Sequence, residues 1–555
     1  MDISNINNTV LEILKKRGIS DQKDIEEFLS DKPQRTYDPF LLHNMKEGVD
    51  FLLDSIEKKE RICIYGDYDV DGITATALLY NFLSHLTDNL MYYIPSRFDE
   101  GYGLNLDSVT QLREEGVDLL ITVDCGAVSK DEIEHAKNIG MKVIITDHHN
   151  MEAHTTPDCV VINPKHQDSK YPFPELCGCA VAFKLVQAIV RTKGLDKSHL
   201  VRPLDLIAIA TVADVVPLID ENRTMVKYGL KELNRGTRKA FRIMMNKLNI
   251  KPGTVDSYKI GFVIGPHINA VGRMDDANKV VKMLTIDDNE EINCIMDTLI
   301  EHNKQRKTVQ EKCFDECVEM IEEIYINSPF IVVKPTFIHE GIAGIVAGRI
   351  REMYNRPAIV LSETEDSDGE ISLKGSGRSI DGIDLIKLLV SHKELFSKLG
   401  GHAMAAGFSM PKGNEEKLRE ALISETARKL EKNPSLFDDT IIEDMDLNED
   451  DIDIKLVKSL ELMAPFGVKN PRPVFLLNNI KVVNKRYMGN DNQHVKFNSG
   501  RFDCILFGNA SENEDILKDG ESVCLYGNPS INQWQGKENV QFLIKAVKKP
   551  GGIDC

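Results

Sequence analysis

The stretch "RICIYGDYDVDG", residues 61–72, passes from an apolar run into three aspartates at alternate positions, Asp67, Asp69 and Asp71. The pattern D-x-D-x-D-G also opens EF-hand calcium loops. Counted from Asp67, however, the twelfth residue is Leu78 instead of a bidentate glutamate, and a strand-like run precedes the loop where an EF-hand has a helix. The sequence therefore argues against a calcium loop. The remaining alternatives are a plain turn and a metal site that performs chemistry.

Strand-length apolar runs alternate with helical patterns from about residue 60 to 220. The runs include "RICIYG", "LMYYIP", "VDLLITVD" and "MKVIITD", and helical patterns such as "ITATALLYNFLSHL" lie between them. This alternation predicts an α/β fold with a parallel sheet flanked by helices. Ligands of such folds bind at the carboxyl ends of the strands, so polar residues directly after a strand are the first candidates for a site.

The pattern changes twice further along the chain. Residues 281–325 lack Gly and Pro and carry charges at helical spacing, which predicts one long connecting helix. A second α/β series follows, from "FIVVKPTFIHEGIAGIVAGRI" to the Gly-rich "LGGHAMAAGFSMP" near residue 400. From about residue 440, short strands separated by Gly and Asn turns predict a small β-barrel.

Composition excludes several classes of protein. A net charge of −19 argues against nonspecific coating of nucleic acid, although clustered metal-binding acids and a local basic groove would give the same total. No apolar run approaches the roughly 20 residues of a membrane helix. The first residues lack the pattern of a secretory signal, and the eleven cysteines are scattered without a disulfide framework. We therefore expect a cytoplasmic protein.

Three later segments place acids or histidines at the edge of apolar structure. "VDLLITVDCG" finishes with Asp124, "MKVIITDHHN" with Asp147, His148 and His149, and the helical "LIAIATVADVVPL" contains Asp214. Each of these alone would commonly be a solvated surface group. Several of them in one α/β domain, most directly after strands, favour a shared site.

The donor atoms of these residues indicate the cation. The aspartates of residues 67–71 would point to one side if the strand conformation continued through them, and their repulsion would then require a cation. Carboxylates with one or two imidazoles suit Mn²⁺ or Mg²⁺, and imidazole favours Mn²⁺. Two ions bridged by Asp124 or Asp71 would activate water and stabilise a leaving oxygen. The predicted chemistry is therefore hydrolysis of a phosphoester.

The motifs "DYDVDG", "VDCG", "DHH" and "ADVVP", in this order and spacing, resemble the signatures of the DHH phosphoesterase superfamily. In particular they resemble its RecJ family of single-strand-specific 5′-to-3′ DNA exonucleases. The resemblance covers almost the whole chain. It includes "SRFDEGYGL" (96–104), "GPHINAVGRM" (265–274), "HEGIAGIVAGR" (339–349), "GSGRS" (375–379), "GGHAMAAGFSM" (400–410) and the β-rich tail.

The resemblance implies roles for the clustered residues. The implied metal ligands are Asp69, Asp71, Asp124, His148 and Asp214, with Asp67 beside them as the least certain ligand. His149 would contact the scissile phosphate and join these ligands as a catalytic residue. Asp147 would orient its neighbours.

The resemblance also implies contacts to the substrate. Arg273 would bind the terminal 5′ phosphate with its guanidinium, and Asn269 of the same motif is a further substrate-binding candidate. The alternative for Arg273 is a surface arginine at the start of a helix. Ser376, Arg378 and His402, with the amides of the Gly-rich motifs, would contact phosphates. The alternative is that these glycines only permit tight packing.

The resemblance gives the predicted segments their identities. They are an N-terminal helical segment (1–45), a DHH catalytic domain (46–280), the connecting helix (281–325), a DHH-associated substrate-binding domain (326–435) and an OB-fold domain (436–555). OB-folds often bind single strands through aromatic rings. Tyr526, Trp534 and Phe542 are candidates, but most aromatics of a small barrel are core, so none is assigned to the site.

The predicted function is a metal-dependent exonuclease that degrades single-stranded DNA from its 5′ end, releasing mononucleotides, in repair and recombination. A helicase and a single-strand-binding protein are candidate partners. Two alternatives remain open: a nanoRNase or cyclic-dinucleotide phosphodiesterase of the same superfamily, and a non-catalytic strand-binding protein that retains the fold.

Overall fold

The computed structural model describes residues 6–96, 100, 103–151, 156–272, 276–336, 338, 340–365, 371–438, 441–489, 492–508 and 510–550. The chain divides into two compact units. Unit 1 comprises Met1–Pro266, Ala277–Asn293 and Ile441–Cys555, and unit 2 comprises His267–Asp276 and Cys294–Thr440. The five predicted segment boundaries stay predictions.

Unit 1 begins with two short helices, α1 (Asn8–Lys16) and α2 (Gln22–Leu29). Their starts follow from side-chain caps: Asn7 accepts the backbone N–H of Thr9, and Asp21 accepts those of the first turn of α2. The apolar residues of α1 recur at helical spacing and lie on one buried face.

The first sheet is parallel throughout, as the alternating pattern predicts. Its elements in chain order are α3 (Met45–Glu57), β1 (Ile62–Gly66), α4 (Val70–Leu83), β2 (Leu90–Tyr93), α5 (Leu106–Glu114), β3 (Leu119–Val123), α6 (Lys130–Asn138), β4 (Lys142–Thr146) and β5 (Val160–Ile162). The strand order is β2-β1-β3-β4-β5. The chain therefore leaves β1 toward one side of the sheet and returns on the other, which opens a crevice between the ends of β1 and β3.

Helices complete the rest of this region. They are α7 (Gly178–Lys193), α8 (Leu204–Ala213), α9 (Asp220–Arg235), α10 (Lys239–Lys247), α11 (Ser257–Lys259), a π-helical turn at Ile260–Ile264, α12 (Gly265–Val271) and α13 (Asn278–Thr285). Both α7 and α8 are apolar around most of their surface, and α4, α7 and α8 pack against one another. These three helices carry residues of the site described below.

The prediction of one uninterrupted helix over residues 281–325 is wrong at its start. α13 ends at Thr285, and a new helix, α14 (Asn289–Met320), continues as a π-helical turn at Ile321–Tyr325. The break occurs because Asp288 caps α14, its Oδ1 accepting the backbone N–H of Glu291 at 2.9 Å. The sequence "DDNEE" carries this capping signal although it lacks Gly and Pro.

Unit 2 contains a second sheet with helices, as the second α/β pattern predicts. Its elements after α14 are β6 (Ile331–Val333), α15 (Glu340–Tyr354), β7 (Ala358–Glu365), β8 (Ile371–Arg378), α16 (Leu385–Val390), β9 (Lys398–His402), β10 (Ala405–Pro411) and α17 (Glu415–Lys432). The strand order is β6-β7-β8-β10-β9. Among the described residues of this sheet, only β6 and β7 pair in parallel. The antiparallel pairs are β7–β8, β8–β10 and β9–β10, and short connections join the first and the last of these.

The tail forms a third sheet of seven strands. Its elements are β11 (Met445–Leu447), α18 (Ile454–Glu461), β12 (Phe475–Lys481), β13 (Val483–Met488), β14 (His494–Asn498), β15 (Asp503–Leu506), β16 (Ser522–Trp534) and β17 (Lys537–Lys548), in the order β11-β12-β16-β17-β15-β14-β13. Tyr526 and Phe542 are buried, which confirms that these two aromatics belong to the core. The side chain of Trp534 lies outside the described part of the structure.

The N-terminal helices share their core with this tail. Val10, Ile13, Leu14 and Leu29 are buried in one cluster with strand residues such as Phe475, and Arg17 donates hydrogen bonds to Asp444 at 3.0 and 3.2 Å. The local sequence pattern could not predict this pairing, because more than 400 residues separate the two parts. Among the described residues, no helix is both long and apolar enough to cross a membrane.

Candidate metal centre

Three neighbouring strands of the first sheet end at the same level. The paired final residues are Gly66, Val123 and Thr146. The residues that follow them, Asp67, Asp124 and Asp147, therefore emerge side by side at the crevice, and all three are buried. The alignment of these strand ends is the physical basis for the predicted cluster of acids.

The aspartates of residues 67–71 do not continue the strand. Asp69 caps α4, its Oδ1 accepting the N–H groups of Asp71 at 2.9 Å and Gly72 at 3.1 Å, so Asp71 lies in the first helical turn. The conditional expectation of three carboxylates on one side of a strand is thus wrong. Gly72 is required because a Cβ there would lie 2.6 Å from the backbone N of Asp67.

The start of α7 holds the carboxylate of Asp71. The N–H of Gly178 donates to Oδ2 at 2.6 Å, and the N–H of Cys179 donates to Oδ1 at 2.8 Å. Both donors are free N–H groups at a helix start, where negative charge is stabilised. Burial nevertheless raises the pKa of Asp71 to about 7, with the charge of Asp69 adding to the shift.

The imidazole of His148 lies at the centre of the cluster. Its Nε2 is 3.1 Å from Oδ1 of Asp124, 3.7 Å from Oδ2 of Asp214 and 3.8 Å from Oδ2 of Asp71. Asp214 reaches this point because it directly follows the last residue of α8. Burial lowers the pKa of His148 to about 3, with the charge of His149 also lowering it. The ring is therefore neutral, and its unprotonated nitrogen is available as a ligand.

Several polar atoms of this cluster are buried without a hydrogen-bond partner among the described residues. They are Asp214 Oδ2, Asp124 Oδ1 and His148 Nε2, of which the last two lie 3.1 Å apart but not in hydrogen-bond geometry. Buried polar atoms are normally paired, and buried carboxylates normally have a counter-charge. Burial raises the pKa of Asp214 to about 9, and burial together with the charge of Asp71 raises that of Asp124 far above its usual range. These properties fit a site that binds a cation.

The donor atoms of the cluster suit a divalent cation. Three groups in this cluster have ligand atoms that all lie within 4.8 Å of one another: Asp67, Asp69 and Asp124; Asp71, His148 and Asp214; Asp124, His148 and His149. Asp124 and His148 each belong to two of these groups, which suits two neighbouring ions that share a ligand. Oxygen donors with an imidazole fit Mn²⁺ or Mg²⁺. Burial raises the pKa of the nearby Cys177 and Cys179, so their thiols stay protonated.

Asp147 positions His149 at the edge of the cluster. Its Oδ1 accepts Nδ1–H of His149 at 2.7 Å and the backbone N–H of His148 at 2.7 Å, while its Oδ2 accepts the N–H of Ala127 at 2.8 Å. Burial opposes the charged forms of Asp147 and His149. Their hydrogen bond and charge attraction nevertheless lower the pKa of Asp147 and raise the pKa of His149. Asp147 therefore orients its neighbours, the role that the resemblance implies for it.

Unit 2 brings its three predicted phosphate contacts to one face of its sheet. Ala405 pairs with Arg378 on one side and with His402 on the other, and Ser376 lies two residues before Arg378 on the same face. α15 approaches this face at Gly344, where a Cβ would lie 2.7 Å from Nη2 of Arg378 and 2.8 Å from Oγ of Ser376.

Two glycines of this sheet are needed for tight packing. A Cβ on Gly375 would enter the ring of Phe408, and one on Gly377 would lie 2.8 Å from Cδ2 of Leu385. Both point to the face opposite Ser376, so one strand carries packing glycines on one face and the candidate contacts on the other.

Two predicted substrate contacts lie in the motif around residue 270. Asn269 is on α12 and is partly buried. Arg273 lies outside the described residues, so its role stays a prediction.

Sequence reasoning missed the amides of Gly178 and Cys179, which bind Asp71. The available signal was the glycine at the start of the apolar run "GCAVAFKLV", because a helix start presents free N–H groups. No local pattern indicates that these amides bind Asp71, which lies more than 100 residues earlier in the sequence.

Three protein-family models match the regions of the chain that contain the three sheets. Residues 61–211 match the DHH family, N-terminal domain, residues 327–428 match the DHHA1 domain, and residues 443–546 match the RecJ OB domain. The predicted fold class, including the OB-fold tail, is thereby confirmed.

Relatives match the chain over most of its length. The single-stranded-DNA-specific exonuclease RecJ of Bacillus subtilis is 35% identical over 97% of this chain and 67% of its own. That of Escherichia coli is 31% identical over 91% of this chain and 90% of its own.

Two crystal structures of RecJ from Thermus thermophilus are similar to this chain. The complex with Mn²⁺ has a TM-score of 0.84 at 26% identity and covers 99% of this chain and 77% of its own. The complex with Mg²⁺ has a TM-score of 0.76 at 25% identity and covers 99% and 76%.

Proposed function

Because this chain belongs to the RecJ family of single-stranded-DNA-specific exonucleases, we propose that it is a metal-dependent hydrolase that degrades single-stranded DNA from the 5′ end and releases mononucleotides. The observation that carries the proposal is the buried cluster around His148, whose carboxylates have raised pKa values and include oxygen atoms without a hydrogen-bond partner among the described residues. A buried cluster of this kind destabilises the folded state unless it binds metal, which supports a functional role for it.

The proposed ligands are Asp67, Asp69, Asp71, Asp124, His148 and Asp214. Divalent ions bound by them would lower the pKa of the attacking water and stabilise the charge of the leaving oxygen. The chain prepares the site for this binding. The amides of α7 fix the carboxylate of Asp71, and the cap interaction fixes Asp69, so little reorganisation accompanies ion binding.

His149 is the proposed contact to the scissile phosphate. Asp147 holds its Nδ1–H and raises its pKa, which favours an imidazolium with Nε2–H directed away from Asp147. An imidazolium N–H donates to a phosphate oxygen and stabilises the negative charge that builds up there in the transition state.

Ser376, Arg378 and His402 are the proposed phosphate contacts of unit 2. Burial lowers the pKa of Arg378, and the charge of Arg351 lowers it further. A partly buried guanidinium beside another arginine gains stability from a bound anion. Arg273 and Asn269 are proposed to bind the 5′-terminal phosphate, which would set the polarity of degradation.

The proposed setting is the cytoplasm, in repair and recombination, with a helicase and a single-strand-binding protein as candidate partners. Every cysteine among the described residues is a free thiol, as suits a reducing compartment.

The test is digestion of single strands labelled at either the 5′ or the 3′ terminus, with Mn²⁺ or Mg²⁺, beside a matched duplex. We expect early release of the 5′ label as a mononucleotide and resistance of the duplex. Asp124→Ala should abolish release, whereas Asp158→Ala, a change at an exposed aspartate paired with Lys137, should not.

Other outcomes would select the alternatives. Preference for short oligonucleotides or cyclic dinucleotides over long strands would make the chain a nanoRNase or phosphodiesterase. Binding of strands without release of nucleotide, with either metal and across pH 6 to 9, would make it a non-catalytic strand-binding protein.

A further inference from the structure

Tyr258 and Phe262 form an exposed aromatic pair on the helical segment that begins at α11. Their ring centroids are 4.7 Å apart with an interplanar angle of 28°, and the residues are 65% and 69% exposed. Large aromatic side chains are usually mostly buried. Two stacked rings in solvent therefore form an apolar surface that requires an explanation.

This segment is packed against the wall of the metal centre. A Cβ on Gly261 would lie 3.8 Å from Cγ1 of Val212, and one on Gly265 would lie 3.6 Å from Cβ of Ala213. Ala213 is the last residue of α8, and the candidate ligand Asp214 follows it directly. The glycines form the inner side of the segment, and the aromatic rings lie on its solvent side.

The other end of the segment contacts the loop between α18 and β12. Oγ of Ser257 donates to the carbonyl of Phe466 at 2.6 Å. The carbonyl of Val468 in the same loop accepts the N–H of Leu218 at 2.8 Å, four residues after Asp214. The helical segment that carries the aromatic pair thus contacts both the end of α8 at the metal centre and the loop between α18 and β12, and all of these residues belong to unit 1.

We propose that Tyr258 and Phe262 form a stacking platform for unpaired bases of a strand whose 5′ end is held at the metal centre. This inference rests on the proposed function and adds a strand-binding site to it. Stacking on aromatic rings accepts every base, because each base has a π face. Such a platform suits an enzyme that must pass strands of any sequence.

The platform also distinguishes single strands from duplexes. The bases of a duplex already stack on one another, so they gain nothing from the rings unless the duplex opens. An unpaired base, by contrast, exchanges water for the ring surface. The platform is therefore a determinant of specificity for single strands.

The test compares an ordinary oligonucleotide with an abasic one of equal length, because only the first can stack. Binding is measured in EDTA, so that no strand is cut. The variant is Tyr258→Leu/Phe262→Leu, which keeps apolar bulk and helix propensity but removes the π faces. We expect binding of the ordinary strand to weaken about 10-fold or more and binding of the abasic strand to stay within about twofold.

The matched control is Phe40→Leu, since Phe40 is 40% exposed and lies on a short turn that packs against α7. It should leave both affinities unchanged. Equal weakening for ordinary and abasic strands in the double variant would overturn the inference, as would no weakening for either.

A second measurement does not depend on loss of binding. Tyr258→Trp, in a Trp534→Phe background, leaves one tryptophan, at the platform. Quenching of its fluorescence by the ordinary strand but not by the abasic strand supports stacking, and equal quenching by both overturns it. If the wild-type chain degrades no single strand with Mn²⁺, the proposed function fails; if it degrades strands but the double variant binds normally, only the platform fails.

Discussion

Gly178 lies against the side chain of Asp124, so closely that a Cβ on Gly178 would be 2.6 Å from both Cβ and Oδ1 of Asp124. The same glycine donates its N–H to Asp71. One residue without a side chain therefore lets the start of α7 reach two candidate metal ligands at once.

Gly178→Ala should impair catalysis although it replaces none of the candidate metal ligands. The methyl group must displace Asp124 or α7, and a displacement of about 1 Å at a catalytic group costs on the order of 100-fold in rate. We expect a loss of roughly that size in exonuclease rate. Gly413→Ala is the control, since a Cβ there meets nothing within 4 Å. Equal rates for the two variants would contradict the packing argument.

Asp71→Asn should weaken metal binding more than the loss of one charge implies. Both carboxylate oxygens of Asp71 accept backbone N–H groups, so an amide would turn its NH₂ toward one of these donors. We expect Mn²⁺ titrations followed by electron paramagnetic resonance to show at least one ion lost, and activity to fall by about 1,000-fold or more. Asp158→Asn at the surface should behave as wild type.

Mn²⁺ should bind more tightly as pH rises. Burial raises the pKa of Asp71 to about 7 and that of Asp214 to about 9, so in the metal-free protein these groups hold protons that the ion must displace. The gain in affinity should be concentrated between about pH 6 and pH 9. Isothermal titration in buffers of different ionisation enthalpy would count the released protons, and release of none would refute the raised pKa values.

The metal-free fold should show the opposite dependence on pH. A carboxyl with a raised pKa keeps its proton in the folded state, whereas the unfolded chain loses it near pH 4. Stability therefore falls as pH rises from about 4 through the folded-state pKa, about 7 for Asp71. The increase in Tm on adding Mn²⁺ should be larger at pH 8 than at pH 6. An equal increase at both values would contradict this linkage.

Asp147→Asn should change the pH profile of the rate. Asp147 raises the pKa of His149, so neutralising it lowers that pKa, and the imidazolium is lost at lower pH. If the imidazolium is the active form, the alkaline limb of kcat should move to lower pH, with a fall in rate of about 10- to 100-fold. Mn²⁺ affinity should change less than kcat. An unmoved alkaline limb would remove His149 from the proposed role.

The sequence predicted the parts of this site that depend on strand ends. Asp67, Asp124 and Asp147 come together because parallel strands finish in register, and their positions after apolar runs identify them. The conformation of residues 67–71 was not predictable from alternation, because the cap by Asp69 starts a helix where a strand would have continued.

Long-range contacts account for the rest. The amides of Gly178 and Cys179 that hold Asp71, and the closeness of Gly178 to Asp124, depend on how α7 packs on the sheet. The break before α14 has a different explanation. The capping residue Asp288 is a local signal for it, but the absence of Gly and Pro favoured one continuous helix.

The shared core of the N-terminal helices and the third sheet sets an order of events during synthesis. α1 and α2 leave the ribosome roughly 400 residues before the strands that cover their apolar faces. At about 5 to 20 residues per second, they wait for about 20 to 80 s. Through that interval Leu14 and its neighbours have no permanent cover. The apolar faces of α1 and α2 therefore gain their native cover only after the strands of the third sheet have been translated.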